Sequence, residues 1–182
     1  DIKKYSKKSG NKYFVTRHGQ AQSNVTGDTK FGVWDFAGNP EKHLTVVGRE
    51  QAQKAGVNLK SENIDIIIAS PLVRTQETAR IIAEQIGYDP KDIITDERVI
   101  EWQVGTEFQG KSIESFIELR NSSSNRYTFK TDDGEMYQDV IKRCGDFMYD
   151  IESKYQGKKI LIVCHNSSAR SLFLMANGFT YN

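Results

Sequence analysis

Nothing in this chain approaches the run of roughly 18 apolar residues that a membrane-spanning helix requires, so no membrane partner is expected. The first residues, DIKKYSKKSGNK, are polar and basic, without the apolar core of a secretory leader. Charge of one sign is missing as well. The 182 residues carry 25 Lys and Arg against 24 Asp and Glu, a net charge of +1. That balance supports neither a nucleic-acid surface nor a membrane surface, so any preference for anions must come from local geometry. Cysteine is scarce: Cys144 and Cys164 alone do not make a disulfide framework in a chain this long. Each lies in an apolar-periodic stretch, which predicts two buried free thiols and a reducing, cytoplasmic setting. No internal repeat is visible. The length suits one compact domain with a sizeable core.

Residues 1–12, with Lys3, Lys4, Lys7, Lys8 and Lys12, read as a basic tail or linker. Residues 13–182 read as a single domain. The chain starts at Asp1 and stops soon after its last helical pattern, and excision from a longer polypeptide is one reading of those ends. Tyr13–Thr16 is a first strand. Residues 20–43 form a loop carrying Phe31, Trp34 and Phe36, which either covers a site or makes a satellite apolar cluster. Thr45 caps a helix over Val46–Leu59. Ile64–Ala69 is a buried strand, and Ser70-Pro71 supplies the cap and first-turn proline of a helix that ends at Gly87. Ile93-Ile94 and Arg98–Val104 look like short strands. Ser112–Leu119 is a short helix, 121–134 a polar loop, and Glu135–Tyr155 a long amphipathic helix. Lys159–Cys164 is a buried strand and Ser168–Ala176 a helix. Strands alternating with helices predict an α/β fold, a three-layer α/β/α sandwich around a largely parallel central sheet.

In such a sheet, ligands bind at the carboxyl ends of the strands. The first strand ends in Arg17-His18-Gly19, the second in Ser70-Pro71 shortly before Arg74, and the last in Cys164-His165. Arg17 offers a fixed fork of donors matched to phosphate oxygens. His18 offers a nitrogen nucleophile that is partly unprotonated at neutral pH, and Gly19 lets the backbone approach a ligand. Arg74 falls in the first turn of its helix, where it opposes the helix dipole and so suits an anion site better than a structural role. His165 shares the strand edge with His18; His43 has no such partners and reads as a loop-surface residue. A phosphoryl-transfer site also needs a proton donor, and Glu101, between Ile100 and Trp102, is the candidate because apolar neighbours would desolvate it. Glu97 and Glu107 are rivals on spacing. Gly105–Ser112 (GTEFQGKS) fits the G-x-x-x-x-G-K-[ST] pattern of a P-loop. However, Glu107 and Phe108 stand where phosphate would nest against backbone N–H groups, and no apolar strand ends in an Asp for Mg²⁺. The match is read as accidental.

Together these segments resemble the histidine phosphatase superfamily, also called the phosphoglycerate mutase-like family. The resemblance runs from Tyr13 to about Met175. Phe14–Asn24 (FVTRHGQAQSN) looks like its nucleophile motif, Leu44–Gly48 (LTVVG) like its first helix start, and Ala69–Ala79 (ASPLVRTQETA) like its SPL-R-QTA motif. Glu101–Gly105 resembles the acid-residue segment, Gly134–Tyr137 a GES segment, and Ile162–His165 the second-histidine strand. The resemblance implies that His18 attacks phosphorus, that Arg17, Asn24, Arg74 and His165 bind the phosphoryl oxygens, and that Glu101 protonates the leaving oxygen. It implies no metal and no other cofactor, because positive side chains carry the charge work. Asn166 departs from the Gly usual after the second His, the Gly105–Gly110 loop looks one residue longer, and the C-terminal end looks shorter. The expected activity is a phosphatase acting on a small phosphorylated substrate through a phosphohistidine. A cofactor-dependent phosphoglycerate mutase is the alternative. Phe31–Asp35 resembles a mutase loop, but the longer insert after the acid segment is missing. An inactive phosphate-binding regulatory domain is a third reading, opposed by the retention of Arg17, His18, Arg74, Glu101 and His165. No motif encodes the leaving group or the oligomeric state.

Overall fold

The computed structural model describes residues 9–25, 42–108, 111–124 and 128–178. The aromatic loop residues Phe31, Trp34 and Phe36, most of the basic tail, Gly110 and residues 179–182 lie outside them. Among the described residues four strands pair in parallel in the order β1-β4-β2-β3: β1 (Lys12–Arg17), β2 (Ile66–Ala69), β3 (Ile94–Thr95) and β4 (Lys159–Cys164). Among the described residues the helices are α1 (Val46–Leu59), α2 (Val73–Ile86), α3 (Ile113–Ser122), α4 (Tyr137–Lys154) and α5 (Asn166–Ala176).

The apolar run of β4 explains the layers. Successive strand side chains point to opposite faces, and Ile160, Leu161, Ile162, Val163 and Cys164 are all fully buried. Ile160, Ile162 and Cys164 pack with Val140, Cys144, Phe147 and Leu172 of α4 and α5. Leu161 and Val163 pack with Ala79, Ile82 and Ala83 of α2, with Ala55 and Leu59 of α1 alongside. Each such aliphatic side chain contributes roughly 1.5–3 kcal/mol on burial, which holds β4 at the centre with helices on both faces. This is the expected α/β/α arrangement. Both cysteines are free and buried, as their periodicity predicts.

Local signals held at several ends. Thr45 Oγ1 accepts the Gly48 N–H (3.0 Å) to cap α1. Ser112 Oγ accepts the Ser115 N–H (3.1 Å) at α3, and Gly87 closes α2 with φ 75°. Two expectations fail. Ser70-Pro71 does not cap α2: the chain bends at Pro71 and Leu72, the helix begins at Val73 after Leu72, and no side chain caps it. The Ser70 hydroxyl meets His165 Nε2 (2.8 Å) and accepts the N–H of Leu72 (3.4 Å), one residue before the helix. Arg98–Val104 is not a strand. It is a 3-10 turn (Glu97–Val99) followed by irregular chain. The carbonyls of Arg98, Ile100 and Glu101 are claimed by a side chain rather than by a neighbouring strand. Arg143 Nη1 donates to Arg98 O (2.7 Å) and Ile100 O (2.9 Å), and Nη2 donates to Glu101 O (3.2 Å).

Gly19 also plays a different part from the one expected. A Cβ there would lie 2.3 Å from Gly48 O, and a Cβ on Gly48 would lie 2.0 Å from Gln20 O. These glycines let the turn after β1 lie directly against the first turn of α1, so Gly19 serves backbone packing rather than approach to a ligand. Gly48→Ala should therefore cost about 3 kcal/mol in urea denaturation. Gly145→Ala in α4, where the nearest atom to a new Cβ is Met175 Sδ at 3.7 Å, should stabilise the protein by roughly 0.5–1 kcal/mol.

Candidate active site

Parallel pairing sets three strand ends level. Arg17 is in register with Cys164, and Ala69 with Val163. His18 N–H donates to Cys164 O (3.0 Å) and Ser70 N–H to Val163 O (3.0 Å), continuing the ladder one step past the strands. His18, Ser70 and His165 consequently emerge side by side at the carboxyl edge. The rings of His18 and His165 lie 5.1 Å apart between centroids. Arg74, one residue into α2, reaches both: its Nε donates to His18 Nε2 (3.1 Å) and its Nη2 to His165 Nδ1 (3.2 Å). The turn after His18 is fixed from the same helix, since Thr78 Oγ1 accepts the Gly19 N–H (3.1 Å).

The partners assign the tautomers. A carbonyl oxygen only accepts, so the 2.8 Å contact of His18 Nδ1 with Gly19 O places a proton on Nδ1. Nε2 then carries the lone pair that Arg74 contacts. In His165 the pattern is reversed: Nδ1 accepts from Arg74, and Nε2 donates to Ser70 Oγ (2.8 Å). Both rings are buried, His18 at 7% exposure and His165 at 0%. Burial, and next the Arg74 charge, push His18 down to about 3 from its ordinary 6.5, with a smaller push from Arg17; the Gly19 bond opposes this. His165 is also held well below its ordinary value, by burial first and then by Arg74, His18 and Arg17. At neutral pH both imidazoles are uncharged.

Glu101 reaches the site from a different direction. One carboxylate oxygen accepts the Ser167 N–H (3.1 Å) and the Trp102 N–H (2.8 Å); the other accepts the Asn166 N–H (3.1 Å). The carboxylate thus sits on the N-terminus of α5, directly after His165, where helix N–H groups and the dipole favour it. Its half-buried setting is polar rather than the apolar one that Ile100 and Trp102 suggested. Glu97 and Glu107 are exposed on separate 3-10 turns, and neither is bonded to the His165 segment. Asn166 is helical and needs no unusual backbone angle.

Arg17 is exposed at the last position of β1, close enough for its charge to act on both imidazoles. Asn24 is not drawn into the cluster. It is exposed on a 3-10 turn (Gln22–Asn24), and its Oδ1 accepts the Ala21 N–H (2.9 Å). His43 is paired with Glu77 (2.6 Å). In the P-loop-like stretch the Thr106 N–H is already taken by the Asp133 carboxylate (2.9 Å), and Phe108 is buried against Phe116. Among the described residues no His, Cys, Asp and Glu side chains group as a metal site, and no helix is long and apolar enough to cross a membrane. Sequence reasoning took Ser70 for a helix cap and missed it as the partner of His165. The clue was its place one residue past a buried strand, level with His165.

Two outcomes follow from the neutral pair. The chain has three histidines, so imidazole proton resonances are readily assigned with His18→Asn and His43→Asn. Those of His18 and His165 should stay fixed between pH 8 and 5. Folded His18 also holds its proton less tightly than the unfolded chain does. Its contribution to stability is complete above pH 6.5 and is lost as pH falls toward about 3. Urea midpoints should accordingly fall between pH 6.5 and 4, less steeply in His18→Asn.

Comparison with known proteins agrees with this geometry. The family model of the histidine phosphatase superfamily (branch 1) matches residues 13–182. A putative phosphoserine phosphatase 2 of Hydrogenobacter thermophilus is 27% identical over 170 residues, 91% of this chain and 78% of that protein. A 2,3-bisphosphoglycerate-dependent phosphoglycerate mutase of Methylobacterium sp. is 28% identical over 177 residues, 91% and 80% of the two chains. Among solved structures, Bacillus stearothermophilus YhfR superposes with a TM-score of 0.76 at 24% identity, over 93% of this chain and 81% of that one. A mycobacterial glucosyl-3-phosphoglycerate phosphatase does so with a TM-score of 0.71 at 22% identity, over 91% and 80%. These two likenesses concern the fold, which is phosphoglycerate mutase-like. From the strand that ends at Arg17, just before His18, through the helix that follows His165, this chain belongs to the histidine phosphatase superfamily, branch 1.

Proposed function

We propose that the protein is a metal-independent phosphatase that hydrolyses a small phosphomonoester, in the cytoplasm, through a phosphohistidine at His18. The observation that carries this reading is the unprotonated His18 Nε2, whose lone pair meets the guanidinium of Arg74 at 3.1 Å. A nucleophile is thus ready beside a phosphate-binding fork.

In the proposed sequence, Arg74 and Arg17 turn onto the phosphoryl oxygens and release the lone pair of His18. The substrate monoanion gives its proton to the Glu101 carboxylate, and His165 switches tautomer, with Ser70 Oγ–H donating to Nε2, so that its Nδ1–H donates to a phosphoryl oxygen. Asn24 supplies a further donor once its turn closes on the phosphate. His18 Nε2 forms a bond to phosphorus as the bond to the leaving oxygen breaks, and Glu101, now protonated, passes the substrate's proton to that oxygen. A water then loses a proton to the Glu101 carboxylate and attacks phosphorus. The N–P bond breaks, its electron pair returns to Nε2, and inorganic phosphate takes the proton from Glu101 and leaves as the monoanion.

The mutase reading shares every step up to the phosphohistidine, and relatives named as phosphatase and as mutase are equally distant, at 27% and 28% identity. The absence of a long insert after Glu101 favours hydrolysis. The test is turnover of p-nitrophenyl phosphate and a panel of sugar and glycerate phosphates with EDTA present, followed by an alkaline quench and mass spectrometry. Phosphate on His18, and loss of at least about 1,000-fold in kcat for His18→Asn, are expected. Turnover that survives His18→Asn or requires an added metal would sink the reading. Transfer from 2,3-bisphosphoglycerate to a monophosphoglycerate, outpacing hydrolysis, would establish the mutase instead.

A further inference from the structure

We propose that Arg143, paired with Glu135, is a positioning residue that sets the reach of Glu101 toward the leaving oxygen. This rests on the reading of Glu101 as the proton donor. Arg143 lies on α4, outside the phosphate cluster, and its guanidinium uses all five of its N–H donors. Nε and one Nη2 hydrogen bind the two Glu135 oxygens (2.8 and 3.1 Å). The other three bind Arg98 O, Ile100 O and Glu101 O (2.7, 2.9 and 3.2 Å). Glu135 extends the grip. Its carboxylate accepts the Gln103 N–H (3.0 Å), its own N–H donates to Gln103 O (2.7 Å), and its carbonyl accepts Trp102 Nε1–H (2.8 Å). The segment 98–103, which no strand pairs among the described residues, is thereby held at six points by two residues.

A generic ion pair of an α-helix does not need this arrangement. The side chains of Arg143 and Glu135 are 16% and 18% exposed, and three of the five guanidinium bonds go to the backbone that carries the carboxylate. Lysine, with three donors on a flexible stem, cannot reproduce the fork. Proton transfer to a leaving oxygen depends steeply on placement, so loosening this clamp should weaken acid assistance while leaving the phosphate cluster intact.

Leaving-group dependence distinguishes that role from general loss of structure. Phenyl phosphate needs a proton on its leaving oxygen; 2,4-dinitrophenyl phosphate leaves as a stable phenolate. With Arg143→Lys, kcat/KM for phenyl phosphate should fall roughly 10- to 100-fold, and for the dinitrophenyl ester less than about threefold, with inorganic phosphate inhibition unchanged. Glu135→Gln, which keeps the bonds to the carbonyls, should show the same selectivity to a smaller extent, and carries the test if Arg143→Lys melts below the assay temperature. In the Glu101→Gln background, Arg143→Lys should add no further selective loss. Equal losses on both esters in Arg143→Lys and Glu135→Gln, with a selective loss in Glu101→Gln, overturn the positioning role alone. Equal losses in Glu101→Gln overturn the acid assignment, and the role of Arg143 with it.

Discussion

One guanidinium shared between two imidazoles ties the candidate site to the fold. Arg74 meets the lone pairs of His18 Nε2 and His165 Nδ1, and its charge, added to burial, keeps both rings neutral. That contact exists because three strand ends are level. A one-residue slip of β4 would send its apolar side chains to the wrong faces and move His165 away from His18. Burial of Ile160–Cys164 on both faces therefore protects the register on which the chemistry depends. The outer hydrogen bonds complete the arrangement: Gly19 O orients one ring, Ser70 Oγ the other. Gly19 and Gly48 bring the β1 turn down onto α1.

A second layer of order supports the carboxylate. Glu101 has no strand to define its position. It is held from one side by the N-terminus of α5 and from the other by the chain that Arg143 and Glu135 grip. The two halves of the site thus have different mechanical origins. The imidazole half rests on sheet register and aliphatic packing; the carboxylate half rests on polar side chains reaching backbone carbonyls. Substitutions that leave the core intact are expected to disturb the second half first.

This difference also explains what was legible in the sequence. Short apolar runs and cap residues exposed β1, β2, β4 and most helices, and strand ends gave away His18, Arg74 and His165. Residues 98–104 read as a strand because Val99, Ile100 and Trp102 are strand formers. The long-range bonds from Arg143, 45 positions away from Arg98, leave no trace in local pattern. Ser70 followed by Pro71 carries a helix-start signal, yet its hydroxyl meets a buried imidazole across the sheet and reaches only the Leu72 N–H, one residue before the helix. Gly19 looked like a place for a ligand, and only the packed structure shows the α1 backbone already there. Asn24, placed by resemblance, sits on its own turn.

The central claim, that His18 Nε2 is the atom that bonds to phosphorus while Arg74 turns from the imidazoles to the phosphoryl oxygens, is most directly tested by a crystal structure with orthovanadate. Vanadium bonded to His18 Nε2, with Arg74 and His165 on its equatorial oxygens and Glu101 at the apical oxygen opposite Nε2, is the expected result. Vanadate bound with His18 Nε2 still held by Arg74, or bonded through any other side chain, would contradict it.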